Sequence, residues 1–139
     1  PWSKNISNSL IKQPKVYLWD WSLIKDKGAL HENFVASHLL KAVQFWTDTG
    51  LGEYGLFYLR DKAKREVDFL VTKNGNPWFL VEVKSSDKGI SPSLYYYQKV
   101  TKAEHAFQLS FESSFVQKDC FSFYEPIMVP AQTFLSQLV

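Results

Sequence analysis

Three residues in this sequence could do metal-assisted chemistry together: Asp68, Glu82 and Lys84. Asp68 lies in the run Glu66-Val67-Asp68-Phe69-Leu70-Val71-Thr72, the other two in Trp78-Phe79-Leu80-Val81-Glu82-Val83-Lys84. Both runs are rich in β-branched and aromatic residues. Asn74-Gly75 between them signals a turn, so the stretch reads as a β-hairpin. Ionised groups inside such apolar strands need partners, because taking a charge out of water is costly. Two carboxylates and an ammonium gathered there suit a hard divalent cation with a lysine beside it. A plainer account also fits, strand-end charges in ordinary salt bridges, since Glu-x-Lys by itself is common.

The two accounts differ in what they require of the hairpin. Side-chain alternation puts Glu66 and Asp68 on the face of Leu70, with Val67, Phe69 and Val71 opposite; Glu82 and Lys84 share a face with Leu80 and Trp78. Directly opposed residues of an antiparallel pair point to the same face. With a two-residue loop at Asn74-Gly75, Lys73 faces Asn76 and Glu82 falls opposite Val67. Asp68 and Glu82 are then on opposite faces, and no cation can be shared. A three-residue loop (Asn74 to Asn76) or a five-residue loop (Lys73 to Pro77) puts Asp68 opposite Glu82 and Glu66 opposite Lys84. The shared site therefore demands an odd loop, or a bulge that restores the parity. Clean two-residue pairing excludes it. If the carboxylates do meet, their repulsion should push one pKa abnormally high without metal, while Lys84 keeps the other charged.

Other elements must position these residues. Over 29–46, Val35, Ala36, Leu39, Val43 and Trp46 recur at helical spacing and form the buried stripe. Projected back a turn, the stripe passes through Glu32. That glutamate either complements the helix dipole or aims a third carboxylate at the strand ends. His31 and His38 lie on a different, wetter face and are too far apart to share an ion. Gly50, Gly52 and Gly55 form a G-x-G-x-x-G, but it follows a helix and precedes a strand, the reverse of a dinucleotide fingerprint, so it reads as a loop. Leu56–Arg60 reads as a strand, and 61–65 as a polar turn. Arg60, Lys62, Lys64 and Arg65 are the densest basic cluster, either a solvated loop or a hold on nucleic-acid phosphates. Ser91-Pro92 starts a helix running to about Lys102, on which at least one of Tyr95, Tyr96 and Tyr97 must be exposed. Ala106–Ser110 and Phe121–Tyr124 read as strands, and Ala131–Leu138 as a terminal helix.

Residues 1–14 read as a linker or the tail of a preceding domain, Lys15–Trp21 as a short strand, and 15–139 as one α/β domain with a mixed sheet. The 139 residues are 45% hydrophobic and 17% aromatic, which suffices for a core and argues against disorder. Single Cys120 excludes a disulfide framework or multi-cysteine zinc site and fits a reducing cytoplasm. No apolar run reaches membrane-spanning length and no signal peptide is present. The net charge of +2 permits a nucleic-acid partner without requiring one. The chain opens on Pro1 rather than methionine, which reads as a piece of a longer protein.

Asp68 followed by Glu82-Val83-Lys84, behind a helix bearing Glu32, resembles the core of the PD-(D/E)XK nuclease superfamily. That is the restriction-endonuclease-like fold, with α-β-β-β-α-β order. More closely, Lys15 to Asp20, Leu30 to Val35, Phe57 to Arg60, Glu66 to Phe69 and Glu82 to Lys84 resemble the C-terminal nuclease-like domain of prokaryotic AAA-type ATPases, which usually follows an ATPase module and a winged-helix segment. The resemblance spans about residues 15 to 112. It implies that Asp68, Glu82 and the Val83 carbonyl hold Mg²⁺ or Mn²⁺, that Lys84 orients or activates the attacking water, and that Glu32 supports the site. Gln98 stands roughly where RecB-type relatives carry a glutamine. Val67 replaces the proline of the superfamily's first motif, a departure many members share. The implied activity is hydrolysis of DNA phosphodiesters, with the ATPase and winged-helix segments as partners in the parent chain and no membrane association. Two other readings use the same residues: a non-catalytic module holding nucleic acid or protein through the basic turn and tyrosine helix, and a domain that oligomerises the ATPase through an apolar patch over Phe111 to Phe123.

Overall fold

The computed structural model describes residues 10–13, 27–61, 63, 65–84 and 89–138. In chain order the elements are strand β1 (Leu10–Gln13), helix α1 (Lys27–Asp48), strands β2 (Tyr54–Asp61), β3 (Glu66–Lys73) and β4 (Asn76–Lys84), helix α2 (Pro92–Thr101), strand β5 (His105–Ser110), a 3-10 turn (Cys120–Ser122), strand β6 (Ile127–Pro130) and helix α3 (Ala131–Leu135). The strands form one mixed sheet in sequence order. β1 to β4 run antiparallel as a meander, whereas β5 pairs parallel with β4 and β6 parallel with β5. The expected order of helix, three strands, helix, strand is present, with β1 before it and β6 and α3 after it.

Two apolar layers sandwich the sheet. On one face Val35, Ala36, Leu39, Ala42, Val43 and Trp46 of α1 meet Phe69, Val71, Phe79, Val81, Phe107 and, from α3, Phe134. These are the predicted helix stripe with Ala42 added. Rings pack edge-on within it, Phe79 lying 5.8 Å from both Phe107 and Phe134. The Trp46 indole N–H donates to the Leu138 carbonyl at 3.2 Å, tying the end of α1 to the chain after α3. On the other face, Leu94 and Tyr97 of α2 cover Leu59, Val67, Leu70 and Leu80. A parallel pair needs a crossover, and α2 supplies it between β4 and β5. Its start is encoded locally: the Ser91 hydroxyl accepts from the Ser93 N–H, and Pro92 opens the first turn.

Several boundaries differ from expectation. Leu10–Gln13, within the stretch read as a linker, instead adds an edge strand to β2, whose outer hydrogen-bonding edge is otherwise unfilled. Helix α1 runs from Lys27 to Asp48, beyond the 29–46 expected at both ends. Phe121–Tyr124 is not a strand; a 3-10 turn occupies its start, and β6 forms at Ile127–Pro130, where β5 offers a partner. The helix expected over Ala131–Leu138 ends at Leu135 and continues as a turn. His31 and His38 are half-buried rather than wet: His31 stacks on Phe111 at 4.0 Å, and His38 packs on Phe34. Burial first, then the nearby Lys27 and Lys41 respectively, depress both imidazole pKa values. The Lys15–Trp21 strand and most of the loop after Lys84 lie outside the described residues. Among the described residues no helix is long and apolar enough to cross a membrane.

Candidate functional site

The hairpin closes on a two-residue turn, with Lys73 facing Asn76 and with Asn74 and Gly75 at φ 52° and 81°, the left-handed pair such turns require. That turn by itself would part Asp68 from Glu82. A bulge reverses the outcome. Between the pairs Thr72–Pro77 and Val71–Phe79, β3 advances one residue while β4 advances two, so Trp78 is extra. Trp78 and Phe79 accordingly pack into the same apolar layer instead of opposite ones. Beyond it Leu70 faces Leu80 and Phe69 faces Val81, a register that carries Asp68 toward Glu82.

A second irregularity acts on Asp68 itself. Between the pairs Phe57–Leu70 and Leu59–Val67, β2 advances two residues and β3 three, which places a bulge at Asp68-Phe69. Val67 therefore joins Leu70 on the α2 side of the sheet, where plain alternation puts it with Phe69. Bulges re-aim side chains and break ladders, and both effects are visible here. Past Phe69–Val81 the two strands are linked through side chains. The Asp68 N–H donates to Glu82 Oε1 at 3.2 Å, and the Val83 N–H donates to Asp68 Oδ2 at 2.8 Å. Val83 thus meets Asp68 through its N–H.

Asp68, Glu82, Val83 and Lys84 line a groove of about 310 Å³ together with Glu32, Glu66, Gly28 and Ala29. The first two turns of α1 form one wall and the strand ends the floor. Because α1 begins by Lys27, Glu32 sits in its second turn, beyond the first-turn range in which the dipole favours a carboxylate. Lys84 Nζ stands 3.9 Å from Glu82 Oε2 and its side chain is half-exposed. Burial of Glu82, then the Asp68 carboxylate beside it, pushes the Glu82 carboxyl up to about 9, with Lys84 opposing the rise. Without a cation the pair therefore holds a proton at neutral pH, the behaviour expected of carboxylates that face each other.

The donor set suits a hard cation that keeps water or substrate oxygens in its shell. Among the described residues no three His, Cys, Asp or Glu side chains come together as a metal-holding group. Two carboxylates are nevertheless what Mg²⁺ commonly takes from a protein when phosphate oxygens and waters supply the rest.

The remaining candidates sit elsewhere. Arg60 pairs with Glu66 at 3.3 Å, on the rim of the groove. Arg65 is held by buried Asp61, its Nε donating at 2.7 Å, and its guanidinium lies 3.6 Å over the Tyr96 ring. Lys62 and Lys64 lie outside the described residues. Gln98 does not line the groove; its Nε2 donates to the Ala103 and Tyr124 carbonyls, at the opposite end of β5 from Ser110. A different glutamine stands beside the centre. Gln108, fully buried, is in register with Glu82; it donates to the Gly89 carbonyl at 2.6 Å and accepts from the Ser91 N–H at 2.8 Å. It clips the start of α2 to the sheet. Its signal in the sequence is a lone amide in the apolar strand His105-Ala106-Phe107-Gln108-Leu109, and Glu66's is its place two residues before Asp68. A larger groove of about 450 Å³, among Phe34, His38, Phe111, Ala131 and Leu135, carries no carboxylate, lysine or arginine among the described residues.

A family model described as "Domain of unknown function (DUF4143)" matches residues 27–120. The chain belongs to the DUF4143 family. The DUF4143 match runs from α1 to the 3-10 turn and so takes in Glu32, Asp68, Glu82 and Lys84, while β6 and α3 lie beyond it. DUF4143 domains often stand C-terminal to AAA ATPases. No curated protein and no solved structure matches the chain.

Proposed function

We propose that the Asp68–Glu82 groove is the centre of a Mg²⁺-dependent phosphodiester hydrolase acting on DNA, as a nuclease-like domain of a larger ATPase. The observation that carries this reading is the Trp78 bulge, which restores the parity lost at a two-residue turn and so brings two carboxylates together at the strand ends. The order helix, three strands, helix, strand supports a restriction-endonuclease-like core. The elevated pKa of Glu82 supports a cation as the missing partner.

In this reading Asp68 and Glu82 hold Mg²⁺ or Mn²⁺, which supplies Lewis-acid stabilisation of charge developing on the phosphate. The Val83 and Asp68 N–H groups fix one oxygen of each carboxylate at the groove. Lys84, at the edge of the groove, donates to the attacking water or the phosphate and orients it. Glu32 accepts from water on the helix wall. Burial of Glu82 keeps the local dielectric low, which strengthens each of these contacts.

The test is calorimetric titration of Mg²⁺ and Mn²⁺ into wild type and Asp68→Ala, alone and with a DNA oligonucleotide whose phosphates can complete the shell. Binding that vanishes in Asp68→Ala, followed by DNA cleavage that Lys84→Ala abolishes, is the expected result. Binding in neither protein under both conditions overturns it, and leaves the same fold as a non-catalytic binding module.

A further inference from the structure

The outer face of α2 has a composition the groove does not explain. Of its three tyrosines, Tyr97 is fully buried and donates its hydroxyl to the Arg65 carbonyl at 2.7 Å. The Tyr96 ring is covered by the Arg65 guanidinium, which Asp61 holds in place. Tyr95 is left with 52% of its surface exposed. Lys99, also exposed, lies one turn after it on the same helical face, and exposed Lys102 follows as the C-cap. The helix contains no acidic residue, and among the described residues neither lysine pairs with a carboxylate.

Lys102 adds an independent observation. It caps the helix in the left-handed conformation, at φ 61° and ψ 29°, a position that glycine occupies without strain and lysine does not. Strained backbone that persists at a side chain points to a use for that side chain. The residue keeps an ammonium at the end of a line that begins with an exposed aromatic ring.

We infer that this face binds single-stranded nucleic acid, with one base stacked on Tyr95 and successive backbone phosphates against Lys99 and Lys102. An aromatic ring lying open on a helix surface can stack a base that is already out of a duplex, and cannot reach one inside it. The inference deepens the reading of the groove by naming the strand state of its substrate, and rests on that reading only in taking nucleic acid as the ligand.

The experiment is fluorescence anisotropy with labelled oligo-dT, whose bases stack little on one another, alongside oligo-U and a duplex of the same length. EDTA is present so that metal and cleavage play no part. Tyr95→Ala should weaken oligo-dT binding about tenfold, and Tyr95→Phe should restore it. Lys99→Ala and Lys102→Gly should each make the salt dependence shallower, by about 0.7 in the log–log slope. Lys102→Gly should also melt at a higher temperature than wild type, since it releases the strain at the helix cap. Oligo-U against oligo-dT reports whether RNA or DNA is preferred. Wild type that binds no oligonucleotide, duplex bound as tightly as single strand, or Tyr95→Ala binding like wild type each overturns the inference. Because binding is read in EDTA, failure of the metal centre and failure of this surface are separately visible.

Discussion

Replacing Glu82 with glutamine should stabilise the metal-free protein at neutral pH. Glu82 is 6% exposed, and burial followed by the Asp68 carboxylate raises its pKa from 4.5 to about 9. A raised folded-state pKa means that the folded chain binds a proton that the unfolded chain has released. The stability tied to this group is therefore complete below about 4.5 and declines as pH rises toward 9. At about 1.4 kcal/mol per pH unit, the two to three units between 4.5 and neutrality amount to roughly 3 kcal/mol. Glutamine keeps an oxygen able to accept the Asp68 N–H, now at 3.2 Å from Glu82 Oε1, and never ionises. Urea unfolding of both proteins in EDTA at pH 5, 7 and 8.5 measures the difference, in which titrations of groups remote from Glu82, such as His31 and His38, cancel. The expected outcome is near-equality at pH 5 and a glutamine variant more stable by up to about 3 kcal/mol at pH 7. Millimolar Mg²⁺ should then raise the wild type and not the variant, because a ligand stabilises only the state that binds it. A glutamine variant no more stable than wild type at pH 7 in EDTA would refute the argument that two carboxylates face each other here.

Three further outcomes follow from the fold. Phe79→Ala, at a fully buried ring in the central strand, should cost about 3–5 kcal/mol in urea unfolding, as large-to-small core changes do. Asp61→Asn should lower the melting temperature. Burial by itself raises the Asp61 pKa, but its hydrogen bonds from Arg65 outweigh that and leave it below the usual value. Its contribution is present above the unfolded pKa of 3.8 and lost as pH falls through the lower folded one, so the melting difference should hold from pH 7 to 5 and shrink in stronger acid. Gln108→Leu should cost about 1–3 kcal/mol by stranding the Ser91 N–H and Gly89 carbonyl. Faster hydrogen exchange at the start of α2 than in β3 would locate the effect.

The sequence by itself was sufficient for the elements whose signals are local. The α1 stripe shows at helical spacing because one face of that helix is entirely core, and Ser91-Pro92 starts α2 because the cap and the preset proline φ act within a single turn. Asn74-Gly75 gives its turn for the same kind of reason, both residues tolerating positive φ. The candidate residues Asp68, Glu82 and Lys84 were legible too, as charges in strands that otherwise read as apolar, and so was the condition for their meeting. Whether the condition was met depended on register. The Trp78 bulge lets Trp78 and Phe79 both pack in the α1 layer, and the one at Asp68-Phe69 puts Val67 with Leu70 in the α2 layer; the helices and adjoining strands supply those layers, not the hairpin. Edge strand β1, β6 in place of Phe121–Tyr124, and Gln108 as the clip beside Glu82 were decided in the same way, by partners distant in the chain. Alternation along a strand is a local rule, but which residue breaks it is chosen by what lies across the sheet.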